Sequence, residues 1–493
     1  MLFTTGIFLF GYLPITLAGF FACARLFGRG TAAAWLGLAS LFFYGYWLPV
    51  YTWLLVASIA ANYAFGGLIL RRRDGARRAW LVVAITANLS VLAYFKYANF
   101  FLQSVNDVAG THFPLLGIIL PLGISFFTFT QIAYLADVHA GKAVERNPIH
   151  YLLFVTYFPH LIAGPVLHHS EMMPQFRQPE NYRPRSECFV VGLAFLTLGL
   201  AKKILIADSL APFANDAFDH AGPAIATGHA WLGVSAYAFQ LYFDFSGYSD
   251  MAVGLSLLIG VQLPYNFDSP YKAHNIIDFW RRWHMTLSRF LRDYLYFALG
   301  GNRKGRVRRY VNLMITMLLG GLWHGASWTF VIWGGLHGLY LIVNHAWQSA
   351  RGRAALAWAG WGSAFESGLA RGLGAALTLL CVLVAWVFFR AKTVEAAFHM
   401  VGSMFGHEGG GRLSGTDWHL LPWIAGLTVM VLIFPNTQQW VASQVRDRLP
   451  ALRARGTGLE WMAFAAGVEV TAIVMLALIA ARRASTEFIY FNF

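Results

Sequence analysis

Apolar runs close to the ~20 residues needed to cross a bilayer recur along the whole chain, separated by short basic or Gly/Pro-rich breaks. Roughly ten to twelve runs meet that length criterion. They predict an all-α polytopic membrane protein, because a helix satisfies its own backbone polar groups inside lipid. The first run starts beside Met1 and meets no Lys or Arg before Arg25. Without the basic n-region of a cleaved signal peptide, it is expected to stay as a transmembrane helix. Plain hydrophobic helices reach to about Tyr97, and a second group surrounds "PLGISFFTFTQIAYLAD". Two stretches break the pattern. Residues 159–184, "PHLIAGPVLHHSEMMPQFRQPENYRP", and 262–309 are too polar to span and too apolar for ordinary surface loops. They read as re-entrant or interfacial segments, tolerated at membrane depth only where protein or a water-filled cavity satisfies the backbone. The expected organisation is one membrane domain over 1–493, with N-terminal helices (1–150), a chemistry-bearing core (151–345), C-terminal helices (346–484) and an aromatic tail (485–493). No internal repeat is evident, so the inverted-repeat layout of secondary transporters has no support.

Composition agrees with the pattern: 57% of the 493 residues are hydrophobic and 12% charged, which excludes an ordinary water-soluble domain. The net charge of +14 would point to nucleic acid in a soluble protein. Here the basic residues fall in "ARLFGRG", "RRRDGARR", "GNRKGRVRR" and "RDRLPALRARG", between apolar runs. That is the positive-inside signature, and it leaves the N-terminus outside and calls for no nucleic-acid partner. The three cysteines, Cys23, Cys188 and Cys381, have no paired spacing, so neither a disulfide framework nor a metal site is expected.

Candidate chemistry gathers in three stretches. In "QLYFDFSGYSDMAVG", Asp244 and Tyr248 share one helix face, as do Ser246 and Asp250. Membrane carboxylates are costly unless they face a bundle interior or a cavity; they serve either a functional tunnel or a structural hydrogen-bond network. In "NFDSPYKAHNIIDFWRRWHMTLSRFLRDYLYFALGGNRKG", the i, i+4 spacing of Trp280 and His284 predicts one helix face carrying both. Arg281, Arg282 and Arg292 lie on other faces, where they suit phosphate oxygens or, more plainly, lipid headgroups on an amphipathic interfacial helix. In "GGLWHGASWTFVIWGGLHG", His324 stands among glycines that let a backbone or ligand approach closely, either as a functional group or as a packing residue. His337 reads as structural, and His324 has no neighbouring ligand pair to make it a metal site.

The stretches "YFPHLIAGPV", "YFDFSGYSDMAVG", "FWRRWHMTLSRFLRDYLY", "LGGNR" and "GLWHGASWTFVIWGGLHG", in this order, resemble the membrane-bound O-acyltransferase superfamily in its bacterial alginate O-acetyltransferase branch, over nearly the whole chain. That branch includes subunits acetylating peptidoglycan or cellulose, and it is similar to the D-alanyl transferase of teichoic acids. The resemblance implies about eleven transmembrane helices and re-entrant segments around a central tunnel, in the bacterial cytoplasmic (inner) membrane. It implies an enzyme moving acetyl from a cytoplasmic thioester, acetyl-CoA, to an extracytoplasmic polysaccharide such as alginate. A periplasmic SGNH-type acetyltransferase partner is implied as well, with no tightly bound cofactor and no metal. The family's essential histidine corresponds to His324 and its second histidine to His284; Asp244, Tyr248, Asp250 and Trp323 become tunnel-lining groups. Arg281, Arg282, Arg303 and Lys304 become candidates for the donor's phosphates, although no Gly-rich nucleotide loop is present. Departures are "GPVLHH", with His168 and His169 where relatives carry a basic residue, and "ALGG", with Ala298 where relatives have proline.

The terminal "FIYFNF" is similar to the end of a small partner peptide in the teichoic-acid system. Tyr490 is accordingly a candidate acyl carrier, a phenol being a competent nucleophile beside a base, or else an interfacial aromatic anchor. Arg482 and Arg483 before it favour the cytoplasmic side, against a carrier facing outward. Two other classes stay open: a transporter of lipid- or polyprenyl-linked sugars, and a non-catalytic assembly platform.

Overall fold

The computed structural model describes residues 1–221, 225–357, 364–407, 415–446, 458–482 and 488–489, and every regular element among them is helical. Tyr490 lies outside the described residues. Six helices are long and apolar enough to cross a membrane: Ile7–Leu26, Pro49–Arg71, Gly75–Ala109, Ser186–Asp219, Ala370–Arg390 and Glu460–Arg482. A bent pair, Asp417–Ile433 with Thr437–Gln444, makes a seventh if counted as one broken span. This is fewer than the apolar runs read from the sequence, and the reasons are local. The helices Arg29–Gly45 and Ile124–His139 have 17 and 16 residues, under the ~20 a full crossing takes. Thr227–Leu258 is long but carries Gln240, Asp244 and Asp250, and Gly305–His324 opens with Arg306, Arg308 and Arg309.

The chain divides into two compact units, each assembled from sequence-remote stretches. The first comprises residues 1–205, 245–265 and 437–492. In it Leu13–Leu26 packs on Arg29–Gly45, Asp74–Leu92 on Ile124–His139, and Ser186–Ala201 on Gly458–Arg482. The Pro/His-rich stretch supplies turns rather than a span. Residues 157–168 are non-helical, and Tyr157, Phe158, Leu161 and Ile162 are all buried. Buried irregular backbone needs polar partners from the protein, and the Phe158 amide donates to Ser40 Oγ at 3.2 Å. Here the Tyr157 hydroxyl meets Ser256 Oγ at 2.8 Å, and His160 Nε2 meets the Phe154 carbonyl at 2.9 Å. Asp250 accepts from Lys202 Nζ at 2.6 Å and Thr437 Oγ1 at 2.7 Å.

The second unit comprises residues 206–244, 266–436 and 493. Its centre is the helical hairpin Gly305–His324 and Trp328–Ala357, with Ala364–Arg390 packed on the latter. Glycine makes that hairpin. A Cβ on Gly321 would collide with the Phe330 carbonyl oxygen, and one on Gly334 with that of Met317. Side chains at these two positions would drive the backbones apart; their absence allows the close small-residue packing common between membrane helices.

Candidate functional site

The hairpin positions His324. The first helix ends on it, Gly325 leaves in extended conformation (φ −163°, ψ 150°), and the next helix begins at Trp328. His324 is therefore at a helix terminus rather than inside a continuous helix. It is buried, with its ring edge-on to Trp323, Trp333 and Phe389 at centroid distances of 4.9, 5.0 and 5.1 Å.

His284 reaches the same cluster by a different route from the one its spacing predicts. The helix Ile276–Arg282, capped by the Asn275 side chain accepting from the Asp278 amide, stops before Trp283. His284 then takes the left-handed conformation (φ 43°, ψ 54°) and starts the short helix Met285–Phe290. Trp280 and His284 thus do not share a helix face, and the i, i+4 expectation is corrected: the chain bends at His284. A non-glycine residue there carries backbone strain that the surroundings must hold, and Asn266 supplies the hold. Its carbonyl oxygen accepts from the Met285 amide at 3.0 Å. Its Oδ1 accepts from the Thr286 hydroxyl at 2.6 Å and amide at 3.3 Å, and meets His284 Nδ1 at 3.3 Å.

That network assigns the imidazole. The backbone amide of Thr286 can only donate, so the Asn266 group facing it is the oxygen, and Nδ1 of His284 must carry the proton donated to it. The lone pair is then on Nε2. Burial holds the imidazole far below its ordinary pKa, hence neutral. Trp323 lies between the two histidines, 6.3 Å from His284 and 4.9 Å from His324 between ring centroids. His337 packs beneath, with Nδ1 accepting from the Trp280 indole at 3.3 Å and its ring 4.8 Å from Trp333.

Other predicted residues fall as follows. Arg282 is a brace: Nε donates to Asp278 Oδ1 at 2.9 Å and Nη1 to the Asp268 carbonyl at 3.1 Å. Arg281, Arg303 and Lys304 are exposed. Asp244 is buried in the second unit. Tyr248 and Asp250, further along the same helix, belong to the first unit, where Asp250 is the ion-paired acceptor described above. Tyr248 stacks on Phe3 at 4.9 Å and meets Phe488 edge-on at 4.6 Å. Lys203 Nζ sits 4.7 Å over the Phe488 ring, and Phe488 is 1% exposed. The described part of the tail is thus packed into protein rather than spread along a surface. Sequence reasoning missed Asn266, an unremarkable residue in "YNFDSP" whose role needs the fold; the only signal was its place in a stretch already marked as irregular.

Comparison with known proteins supplies the wider setting. The model of the family described as MBOAT, membrane-bound O-acyltransferase family, matches residues 31–357. A peptidoglycan O-acetyltransferase of Helicobacter pylori is 44% identical over 440 residues, covering 83% of this chain and 80% of that protein. A probable alginate O-acetylase of Azotobacter vinelandii is 42% identical over 414 residues, covering 82% and 78%. A teichoic acid D-alanyltransferase of Bacillus subtilis is 30% identical over 242 residues, 47% of this chain and 60% of that protein.

Proposed function

This chain belongs to the membrane-bound O-acyltransferase family, and on that premise we propose that it transfers acetyl from acetyl-CoA to a hydroxyl destined for an extracytoplasmic polysaccharide. Alginate and peptidoglycan are the polymers that the names of its O-acetylating relatives carry, at nearly equal similarity, and cellulose is a third of the same chemistry. The setting is a bacterial inner membrane, with about eleven helices around a tunnel and a periplasmic SGNH-type acetyltransferase taking the acetyl onward. The observation that carries the reading is the buried pair His324 and His284 flanking Trp323.

In this mechanism His324 is the general base. It takes the proton of the attacking hydroxyl as the new C–O bond forms at the thioester carbonyl, and returns it to the thiolate as the C–S bond breaks. His284, neutral and fixed in orientation by Asn266, positions donor or acceptor through Nε2. The aromatic walls exclude water that would otherwise hydrolyse the thioester. Transfer from a thioester to an oxygen ester is downhill, so no nucleotide hydrolysis is needed. Exposed Arg281, Arg303 and Lys304 are available to the donor's phosphates, whereas Arg282 is already engaged. Tyr490 is the proposed carrier that receives acetyl at the tunnel mouth, and burial of Phe488 two residues before it favours a docked tail over a free interfacial anchor.

The test is mass spectrometry of the C-terminal peptide and assay of free thiol after purified protein meets acetyl-CoA, beside His324→Ala. Acetyl on Tyr490 and thiol release should both disappear in the variant, by about 10²–10⁴-fold as for loss of a general base. Thiol release that persists in His324→Ala would overturn the assignment. Release without an adduct would keep the enzyme and remove the carrier. A sugar transporter would show no His324-dependent thioester cleavage at all.

A further inference from the structure

Within the second unit, a cavity of about 230 Å³ opens between the segment Met285–Tyr296 and the two helices of the hairpin. Its lining combines the basic groups Arg292 and Arg309 and the imidazole of His345 with the apolar side chains Leu313, Met317 and Trp280. Among the described residues, no carboxylate lines it. Arg309 Nη2 donates to His345 Nδ1 at 3.0 Å. A nitrogen that accepts is a lone pair, so His345 is neutral here, and among the described residues Arg309 has no carboxylate partner to cancel its charge. Arg292 is half satisfied, with Nε and Nη2 donating to the two Asp293 oxygens at 2.7 and 3.2 Å and Nη1 left over. A largely apolar cavity in which Arg309 keeps its charge uncancelled and Arg292 has one free donor group suits an anion, and planar guanidinium groups match phosphate oxygens best. Two packed tryptophan rings stand between the cavity and His324. Trp280 is 5.8 Å from Trp333, and Trp333 is 5.0 Å from His324.

We infer that this cavity binds a phosphate group of an amphiphilic ligand, with Arg309 and Arg292 holding its oxygens and Trp280, Leu313 and Met317 contacting its apolar portion. The volume falls below the ~300–1,000 Å³ of pockets that enclose a whole small molecule, so the cavity houses the phosphate-bearing end while the rest extends out of it. Two sources carry this chemistry. One is the soluble thioester donor, in which case the inference rests on the acyltransferase reading and moves the phosphate contacts from Arg281, Arg303 and Lys304 to Arg292 and Arg309. The other is an anionic phospholipid headgroup, which needs no reaction.

The experiment uses the full chain in phosphatidylcholine nanodiscs. Equilibrium binding of coenzyme A is measured for wild type, Arg309→Gln, Arg292→Gln, the double variant and Arg309→Lys, with inorganic pyrophosphate as competitor. A second arm adds phosphatidylglycerol and counts retained lipid by native mass spectrometry. Each glutamine variant should weaken the bound phosphate ligand about tenfold, a charge-assisted hydrogen bond's worth, with Arg309→Lys recovering part. Arg292, its side chain 57% exposed, keeps the test valid if Arg309→Gln fails to fold. Loss of coenzyme A binding assigns the soluble donor; unchanged coenzyme A binding with lost phosphatidylglycerol retention assigns the lipid. If the double variant alters neither, the phosphate site is overturned. The outcome is separable from the proposed reaction. His324-dependent thiol release with arginine-independent binding leaves the enzyme and removes this pocket, whereas arginine-dependent binding without thiol release does the reverse.

Discussion

A single amide side chain sets the geometry around His284. Asn266 Oδ1 gathers the Thr286 hydroxyl, the Thr286 amide and His284 Nδ1, and so fixes both the tautomer and the left-handed backbone of a residue that would otherwise avoid it. Asn266→Ala should therefore act through His284 rather than through substrate contact. We expect kcat to fall by up to about 10²-fold, the cost of a misplaced catalytic neighbour, with KM for the thioester nearly unchanged. Asn266→Asp, which keeps an acceptor at the same place, should recover part of the rate. Steady-state kinetics of the two variants checks this; equal losses in both, or a loss confined to KM, would contradict a positioning role. His284 and His324 were both legible as candidates from their motifs. Asn266 was not, because an isolated asparagine has no periodicity or motif of its own, and its partners are 18 to 20 residues away.

At the scale of elements, the glycines of the hairpin do the positioning. Gly320, Gly321 and Gly325 of "GGLWHG" read as close-approach positions; Gly321 faces backbone across the helix pair, as does Gly334 of the second helix, whereas Gly320 and Gly325 face the side chains of Leu291 and Phe330. Gly334→Ala would drive a methyl into the Met317 carbonyl oxygen, which must move the helix rather than a side-chain tip. Overpacking of this kind costs about 1–3 kcal/mol. We expect a lower unfolding temperature in detergent and loss of thioester cleavage, since His324 ends one helix and Trp333 lies in the other. By contrast, Gly335→Ala, whose nearest neighbour would be a Leu318 methyl at 3.5 Å, should be tolerated. A thermal-shift assay on both variants decides the matter, and equal behaviour would remove the packing argument. The break between Arg282 and Met285 was not legible: helical spacing carries straight through "FWRRWHMTL", and only the Asn266 contacts show where the helix stops.

For the molecule as a whole, the first unit is held by groups that tie distant parts of the sequence together. Asp250 joins Lys202, 48 residues before it, to Thr437, 187 residues after it. Both ends of the ion pair are largely buried. Removing one partner of such a pair leaves an uncompensated charge and costs about 3–5 kcal/mol, whereas replacing both by apolar side chains is often neutral. Asp250→Ala should accordingly destabilise the protein strongly, and the double variant Asp250→Leu with Lys202→Met should recover most of that loss. Reversible unfolding in mixed micelles would measure the cycle; additive losses would mean the pair is no unit.

The sequence by itself determined the class of this protein and the candidates for its chemistry. Apolar runs of bilayer length and basic residues concentrated in the breaks follow from solvation alone, and the ordered motifs around His284 and His324 give the family, which similarity over four-fifths of the chain then shows. What only the tertiary structure decided is how those residues are used. Asp244, Tyr248 and Asp250 look alike on one polar helix, yet Asp250 is spent in an ion pair and Tyr248 receives the buried Phe488 of the tail. Arg282 looks as available as Arg309, yet one is paired with Asp278 and the other faces an acid-free cavity. A side chain's chemistry is written in its own letter, but whether its charge is already cancelled depends on partners brought near by folding, and no local pattern carries that.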